Sequence, residues 1–287
     1  MLENFKKHCL SICVLLLLVA NFFIFYFDWQ NSNRGFTFSM LDVGQGDALF
    51  IESPTGTQIL VDGGPHKKIL SQLSRVMSPF DRSIDAIIIT NPDQDHIAAF
   101  LDVLKVYKVG KVFESGTMKD SKIYQNLKDE INKNKVPIFL AKKGMVLDIG
   151  GGAKIDVLFP DRDVSLFSTN DGSIVAKLTY GEISVMLTGD STSKTEGIIL
   201  RGNRKEVLQS DILKVGHHGS RTSTSRDFVE AVSPAYALIS NGRDNNYGHP
   251  HMDVLETLSS FGAKILRTDT LGTVIMKCDT IGKCKVN

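Results

Sequence analysis

Thr90-Asn-Pro-Asp-Gln-Asp-His96 follows the apolar-rich segment Ile84–Ile89, which reads as a strand buried on both faces. Alternate residues of an extended loop project to one side, so Asn91, Asp93 and Asp95 are placed to converge. His96 opens the next helix and is able to swing in beside Asp95. Three oxygen donors and an imidazole suit Zn²⁺ or Mn²⁺, and oxygen-rich sites also admit Mg²⁺. A solvated acidic loop has the same composition, since Asp95 suits a helix N-cap. The segment becomes a site only if partners stand elsewhere in the chain.

Partners do recur at comparable places. Asp42 and Asp47 flank the turn Gly44-Gln-Gly46, and Asp62-Gly-Gly64 closes a strand. Asp190 follows Leu187-Thr-Gly189, His217 and His218 follow Val215-Gly216, and His249 follows Asn246-Tyr-Gly248. Each alone could be a turn or capping residue. All of them stand where a strand gives way to a loop, which is where open α/β sheets place ligand-binding groups. One metal site accounts for the set together.

The elements around these positions alternate. Strands are expected at 36–42, 48–52, 58–61, 84–89, 111–113 and 137–140, with helices at 67–77, 95–106 and 121–132. The second half repeats the style, with strands at 153–159, 173–180, 184–187, 211–215, 235–239, 264–267 and 273–277. Helices are expected there at 194–201, 225–232 and 252–261. Two β-rich halves with helices imply two sheets packed face to face with helices outside. No short repeat or low-complexity tract interrupts them.

Bulk properties narrow the class. The chain has 287 residues, enough for one large core after a short N-terminal segment. Its 33 basic and 32 acidic residues leave a net charge of +1, so no global field recruits nucleic acid, although a local patch could. Lys6 and Lys7 precede the apolar run 9–27, about 28 Å long as a helix and close to the hydrocarbon thickness of a bilayer. No small-x-small cleavage site follows it, so a transmembrane anchor is expected ahead of a cleaved signal segment. The two lysines put residues 1–8 in the cytoplasm and everything beyond the run outside the cell membrane. Residues 28–35 then read as a linker, and 36–287 as the catalytic domain. Cys278 and Cys284, in an oxidising compartment, either close a hairpin as a disulfide or remain two thiols.

The stretch from about Phe36 to Met276 resembles the metallo-β-lactamase superfamily, and within it the hydrolase domain of ComEC-type competence DNA-uptake channels. The resemblance is carried by Leu41-Asp-Val-Gly-Gln-Gly-Asp47, Leu60-Val-Asp-Gly-Gly64, Thr90-Asn-Pro-Asp-Gln-Asp-His96 and Asn170-Asp-Gly-Ser173. Leu187-Thr-Gly-Asp190, Leu213-Lys-Val-Gly-His-His-Gly-Ser220, Asn246-Tyr-Gly-His-Pro250 and Arg267-Thr-Asp269 complete it, in the family's order.

The resemblance implies an α/β fold, a four-layer αβ/βα sandwich preceded here by one transmembrane helix. It implies metal ligands at Asn91, Asp93, Asp95, His96, Asp190 and His218, with His217, His249 and Asp93 in catalytic roles. Asp62, Asp42 and Asp47 would support the ligands from behind. The assignment among His217, His218 and His249 stays open. Asn91 departs from the family, which usually has a histidine there, and an amide is a poorer partner for Zn²⁺. One firmly held ion, Zn or Mn, is therefore expected at Asp95, His96, Asp190 and His218, with a weaker second. The implied reaction is attack of a metal-bound hydroxide on a phosphodiester, with DNA as substrate and a separate uptake channel as a partner. The alternatives are hydrolysis of another ester, such as a phosphocholine ester or lactone, and a weakly catalytic binding module. One apolar span excludes a transport pore within this chain.

Overall fold

Three apolar clusters separate the layers of the protein. The computed structural model describes residues 8, 12–25, 35–279 and 283–286. Residues 12–25 form helix α1. Then follow β1 (Phe36–Met40), β2 (Leu49–Glu52), β3 (Gln58–Val61), α2 (Lys68–Val76), β4 (Ser83–Ile84), β5 (Ala86–Ile89), α3 (Gln94–Ile97) and α4 (Phe100–Val106). Next come β6 (Lys108–Val109), β7 (Val112–Glu114), α5 (Lys122–Lys133), β8 (Ile138–Leu140), β9 (Val146–Gly150), β10 (Ala153–Phe159), β11 (Val175–Tyr180) and β12 (Ile183–Leu187). The chain continues through α6 (Ser193–Gly202), α7 (Lys205–Leu208), β13 (Ile212–Lys214), α8 (Arg226–Val232), β14 (Tyr236–Ile239) and α9 (Met252–Ser260). It closes with β15 (Lys264–Arg267), α10 (Thr268–Leu271), β16 (Val274–Cys278) and β17 (Cys284–Val286).

Among the described residues the strands form an eight-stranded sheet, β17-β16-β1-β2-β3-β5-β7-β8, a seven-stranded sheet, β15-β14-β13-β12-β11-β10-β9, and a small parallel pair, β4-β6. Successive side chains of a strand face opposite ways, and here both directions are apolar. Ala86 and Ile88 face the second sheet, joining Phe36, Phe38, Ile155 and Leu238 between the sheets. Ile87 and Ile89 face outward against Phe100, Leu127 and Ile131 of α4 and α5. Leu213, Ala237 and Ile239 face outward from the other sheet, against Phe228, Val229 and Leu258 of α8 and α9. The result is helix, sheet, sheet, helix, as expected. Truncating a core side chain such as Phe38 to alanine costs about 3–5 kcal/mol in such packing.

One side of each sheet runs parallel, β3-β5-β7-β8 in one and β12-β13-β14-β15 in the other. Their C-terminal ends therefore open onto one edge, where Asp62, Asn91, Asp190 and His217 follow their strands.

Several local expectations are corrected. The helix at 95–106 is two helices, because Asp95 O accepts from Asp47 N–H and Ala99 N–H donates to Gly64 O. Those long-range bonds take the groups that would have continued the first helix. β6, β9, α7, α10 and β17 were not expected, and the strand expected at 84–89 is divided between β4 and β5, which lie in different sheets. Cys278 and Cys284 are joined as a disulfide across the β16–β17 hairpin.

The expected transmembrane span at 9–27 is not borne out. Among the described residues no helix is long and apolar enough to cross a membrane. The described helix α1 covers about 21 Å at 1.5 Å per residue, and the rest of the expected span, with residues 1–7, lies outside the described residues. The linker at 28–35 also lies outside them, except Gly35.

Candidate metal centre

The third strand ends at Asp62, whose backbone is left-handed, with φ 57°. That turn lays its carboxylate beneath the Thr90–His96 loop. It accepts from Thr90 N–H at 2.8 Å and Thr90 Oγ1 at 2.6 Å, and meets His96 Nδ1 at 2.8 Å. The ring of His96 is thereby oriented, and its Nε2 lies 2.9 Å from Asp190 Oδ2.

Asp190 follows Gly189, which must be glycine: its φ is 51°, and a Cβ there would lie 2.9 Å from Thr90 Cβ. Asp190 Oδ2 also lies 3.6 Å from His218 Nε2 and 3.8 Å from His217 Nε2. Its Oδ1 is buried with no hydrogen-bond partner among the described residues.

His217 and His218 both adopt left-handed backbone, with φ 49° and 56°. Each such non-glycine residue costs roughly 1–2 kcal/mol, strain that proteins retain mainly at working sites. His218 Nδ1 donates to Ser240 O at 2.8 Å, and its Nε2 lies 3.2 Å from Asp95 Oδ2. Gly46 lets Asp95 come this close to the first turn, since a Cβ there would fall 2.2 Å from Asp95 O.

Asp95, His96, Asp190 and His218 thus bring one ligand atom each within 4.8 Å of one another. Their chemistry fits a divalent metal ion. Both imidazoles commit Nδ1 to a partner, the arrangement that fixes metal-ligating histidines. In the neutral ring the remaining Nε2 lone pair would face a carboxylate, so a proton or a cation must lie between. Burial opposes an imidazolium at His218, yet Asp190 and Asp47 outweigh it and push that histidine up to about 10. Burial opposes charge on His96 too, and Asp190, Asp62 and Asp95 still hold it well above its ordinary value. For Asp190, burial favours the neutral acid, but His96 and His218 keep it well below the usual carboxylate range.

A second group, Asp47, Asp62 and His96, shares His96 through its Nδ1 face. It already contains a cation. The fully buried Lys214 ammonium pairs with Asp47 and donates to Gly189 O at 2.8 Å. Asp47 also lies 3.4 Å from His218 Nδ1, so it supports the four-residue group from behind.

Asn91, Asp93 and Asp42 are not part of that group, and His217 and His249 border it. Asn91 is buried, but its Oδ1 accepts from Asp93 N–H at 2.8 Å and its Nδ2 donates to Ser173 Oγ at 3.3 Å. The Asp93 carboxylate is held by Lys119 Nζ at 2.5 Å and Thr169 Oγ1 at 3.0 Å. Asp42 turns outward, accepting from Gly44 N–H and pairing with Lys68 Nζ at 2.8 Å. His217 and His249 flank His218, with ring centroids 6.1 and 6.4 Å away. Burial and the neighbouring histidines lower His249 to about 4, and burial lowers His217.

Lys214 and Lys119 were missed. A lysine inside the apolar strand Ile212-Leu-Lys-Val215 was a legible signal, because a lysine is almost never buried without a partner. Lys119 stands in a loop and carried no such signal.

Residues 41–243 match the family described as the metallo-beta-lactamase superfamily. The chain is 35% identical over 256 residues to ComE operon protein 3 of Bacillus subtilis, covering 82% of this chain and 32% of that protein. It is 28% identical over 235 residues to competence protein ComA of Neisseria gonorrhoeae, covering 81% and 31%. It thus spans about a third of the length of these relatives. In fold it is similar to the metallo-beta-lactamase fold protein YhfI from Bacillus subtilis, with a TM-score of 0.56 and 14% identity over 88% of this chain and 100% of that one.

Proposed function

We propose, because the chain belongs to the metallo-beta-lactamase superfamily and gathers a metal-binding group, that it is a metal-dependent phosphodiesterase acting on DNA. The grouping of Asp95, His96, Asp190 and His218 within 4.8 Å carries this assignment. Bound there, a divalent ion would supply Lewis acidity and a water ionisable near neutral pH. The chain's own residues supply the rest. Asp190 and Asp95 give anionic ligand atoms, and His96 and His218 give nitrogens oriented by Asp62 and Ser240. His217 Nε2 lies 3.8 Å from Asp190 Oδ2, and the His249 ring lies beside those of His217 and His218. His217 and His249 are both shifted toward the neutral form, so each is fit to donate an N–H to a phosphoryl oxygen or to accept a proton. Asp93, neutralised by Lys119, is fit to position substrate rather than to ligate firmly.

DNA is favoured as substrate because a relative 28% identical over 81% of this chain carries the name competence protein. Zn or Mn suits the mixed nitrogen and oxygen donors. A separate uptake channel in the membrane is the proposed partner. We assign the exposed apolar side chains of α1, from Ile12 to Phe25, to a membrane anchor that holds the domain outside the cell. Protease protection of the tagged chain in intact cells tests that placement.

The activity test uses the purified chain with Mn²⁺, Zn²⁺ or Mg²⁺, bis-(p-nitrophenyl) phosphate and single-stranded DNA. Metal-dependent cleavage of both is expected. No turnover with any ion would leave a binding module, and cleavage of the small diester without DNA would point to another ester.

A further inference from the structure

A cleft of about 860 Å³ opens beside Asp95, at the rim of the metal-binding group. Its size is that of sites for small organic ligands. Tyr247 lies along it with two thirds of its surface exposed. The ring is nearly parallel to that of His249, at 25° and 5.6 Å between centroids. His249 in turn lies 5.7 Å from the His217 ring. One face of Tyr247 is thus backed by a histidine that belongs to the proposed site.

The segment carrying this tyrosine is held firmly. Asn245 Oδ1 accepts from Tyr247 N–H at 3.2 Å and His249 N–H at 3.0 Å. Asn245 Nδ2 donates to Gly242 O at 3.0 Å and His249 O at 2.6 Å. A rigid backbone presenting an exposed aromatic ring is a preorganised stacking surface. Around it the cleft carries the exposed Gln94 amide and the exposed Arg243, whose guanidinium donates to Asp269 O at 3.2 Å. An aromatic face, an amide and a guanidinium are together the chemistry that takes a nucleobase and its phosphate.

We propose that Tyr247 is the stacking platform of a nucleobase subsite, placed so that a single-stranded nucleic acid enters the metal group with one base unstacked beside it. A base inside a duplex has both faces covered and cannot lie on the ring. The proposal rests on the phosphodiesterase assignment, and it names strand preference and one recognition residue.

Binding separates the two ideas. Fluorescence anisotropy of the full chain in EDTA compares oligothymidylate with an abasic oligomer of equal length and charge. The wild-type chain should prefer the base-bearing strand by about 5- to 150-fold, the scale of one stacked base. Tyr247→Ala should bind both strands alike, and Tyr247→Trp should restore the preference, with indole fluorescence quenched by oligothymidylate and not by the abasic strand. A wild-type chain indifferent to bases, or a Tyr247→Ala chain that keeps the preference, overturns the subsite even if bis-(p-nitrophenyl) phosphate is still hydrolysed. Base-dependent binding without hydrolysis of either substrate would sustain the subsite and remove the phosphodiesterase.

Discussion

Asp62 orients His96 through its Nδ1, and four further carboxylates near this edge are neutralised in two different ways. Asp47 and Asp93 each face an ammonium built into the chain, Lys214 and Lys119. Asp95 faces the His218 imidazole instead, and Asp190 faces those of His96 and His218, with Lys214 only at 3.9 Å from Asp190. An ammonium on a covalent tether cannot be exchanged for a metal ion without breaking the pair. An imidazole can, by giving up its proton and offering the same nitrogen. The difference marks where an exchangeable cation belongs, and it separates scaffolding acids from ligand acids although all four are aspartates.

The largest expected effect comes from removing a ligand acid. Asp190→Ala takes the shared carboxylate from both His96 and His218. It should abolish metal-dependent turnover and metal retention on gel filtration. A variant that keeps both would erase the distinction. Asp93→Ala should reduce turnover without releasing the ion.

A scaffolding acid should instead be read in stability. Lys214→Met strands the Asp47 carboxylate in a fully buried site, and breaking such a pair costs about 3–5 kcal/mol. Lys119→Met removes a partly exposed partner, and exposed pairs are worth at most about 1 kcal/mol. Urea midpoints of the two variants should differ accordingly. Equal losses would mean that the two lysines do the same job.

Much of this edge was legible in the sequence, for a physical reason. Asp62, Asp95, His96, Asp190 and His218 all follow strands, and two sheets each parallel along one side bring strand ends together. The four-layer sandwich was legible for the same cause, since Ala86–Ile89 is apolar on both faces. What sequence could not show is pairing across long separations. Lys119 reaches Asp93 from a loop with no pattern of its own, and Asn91 spends its amide oxygen on the backbone of its own loop. The break between α3 and α4 was hidden likewise, because a glycine carbonyl at position 64 captures the Ala99 N–H.

Acidity offers a third, gentler way to test the contrast. His218 is raised to about 10 and His96 is raised well above its ordinary value. Groups raised in this way stabilise the folded chain fully below their unfolded value, about 6.5, and lose that contribution as pH climbs through the folded value. The metal-free chain should therefore lose thermal stability between about pH 6.5 and 10. The metal-loaded chain should lose less, since the ion replaces the protons. Metal affinity should rise over the same window as each imidazole surrenders its proton. Parallel melting curves with Zn²⁺ and with EDTA check both signs, and coincident pH profiles would deny that protons and metal compete for these nitrogens.

The smallest expected effect is also the most discriminating. Asn91→His alone places an imidazole beside Asp93, yet the Asp93 carboxylate keeps its bond to Lys119. The metal content by plasma emission spectroscopy should stay near one ion per chain. Asn91→His combined with Lys119→Ala frees that carboxylate and supplies a nitrogen donor, so a second, weaker ion should appear as Zn²⁺ is raised. If Asn91→His alone already binds two ions, the asparagine sets the stoichiometry and the ammonium is incidental. If only the double variant does, the tethered cation itself keeps this corner of the site free of metal.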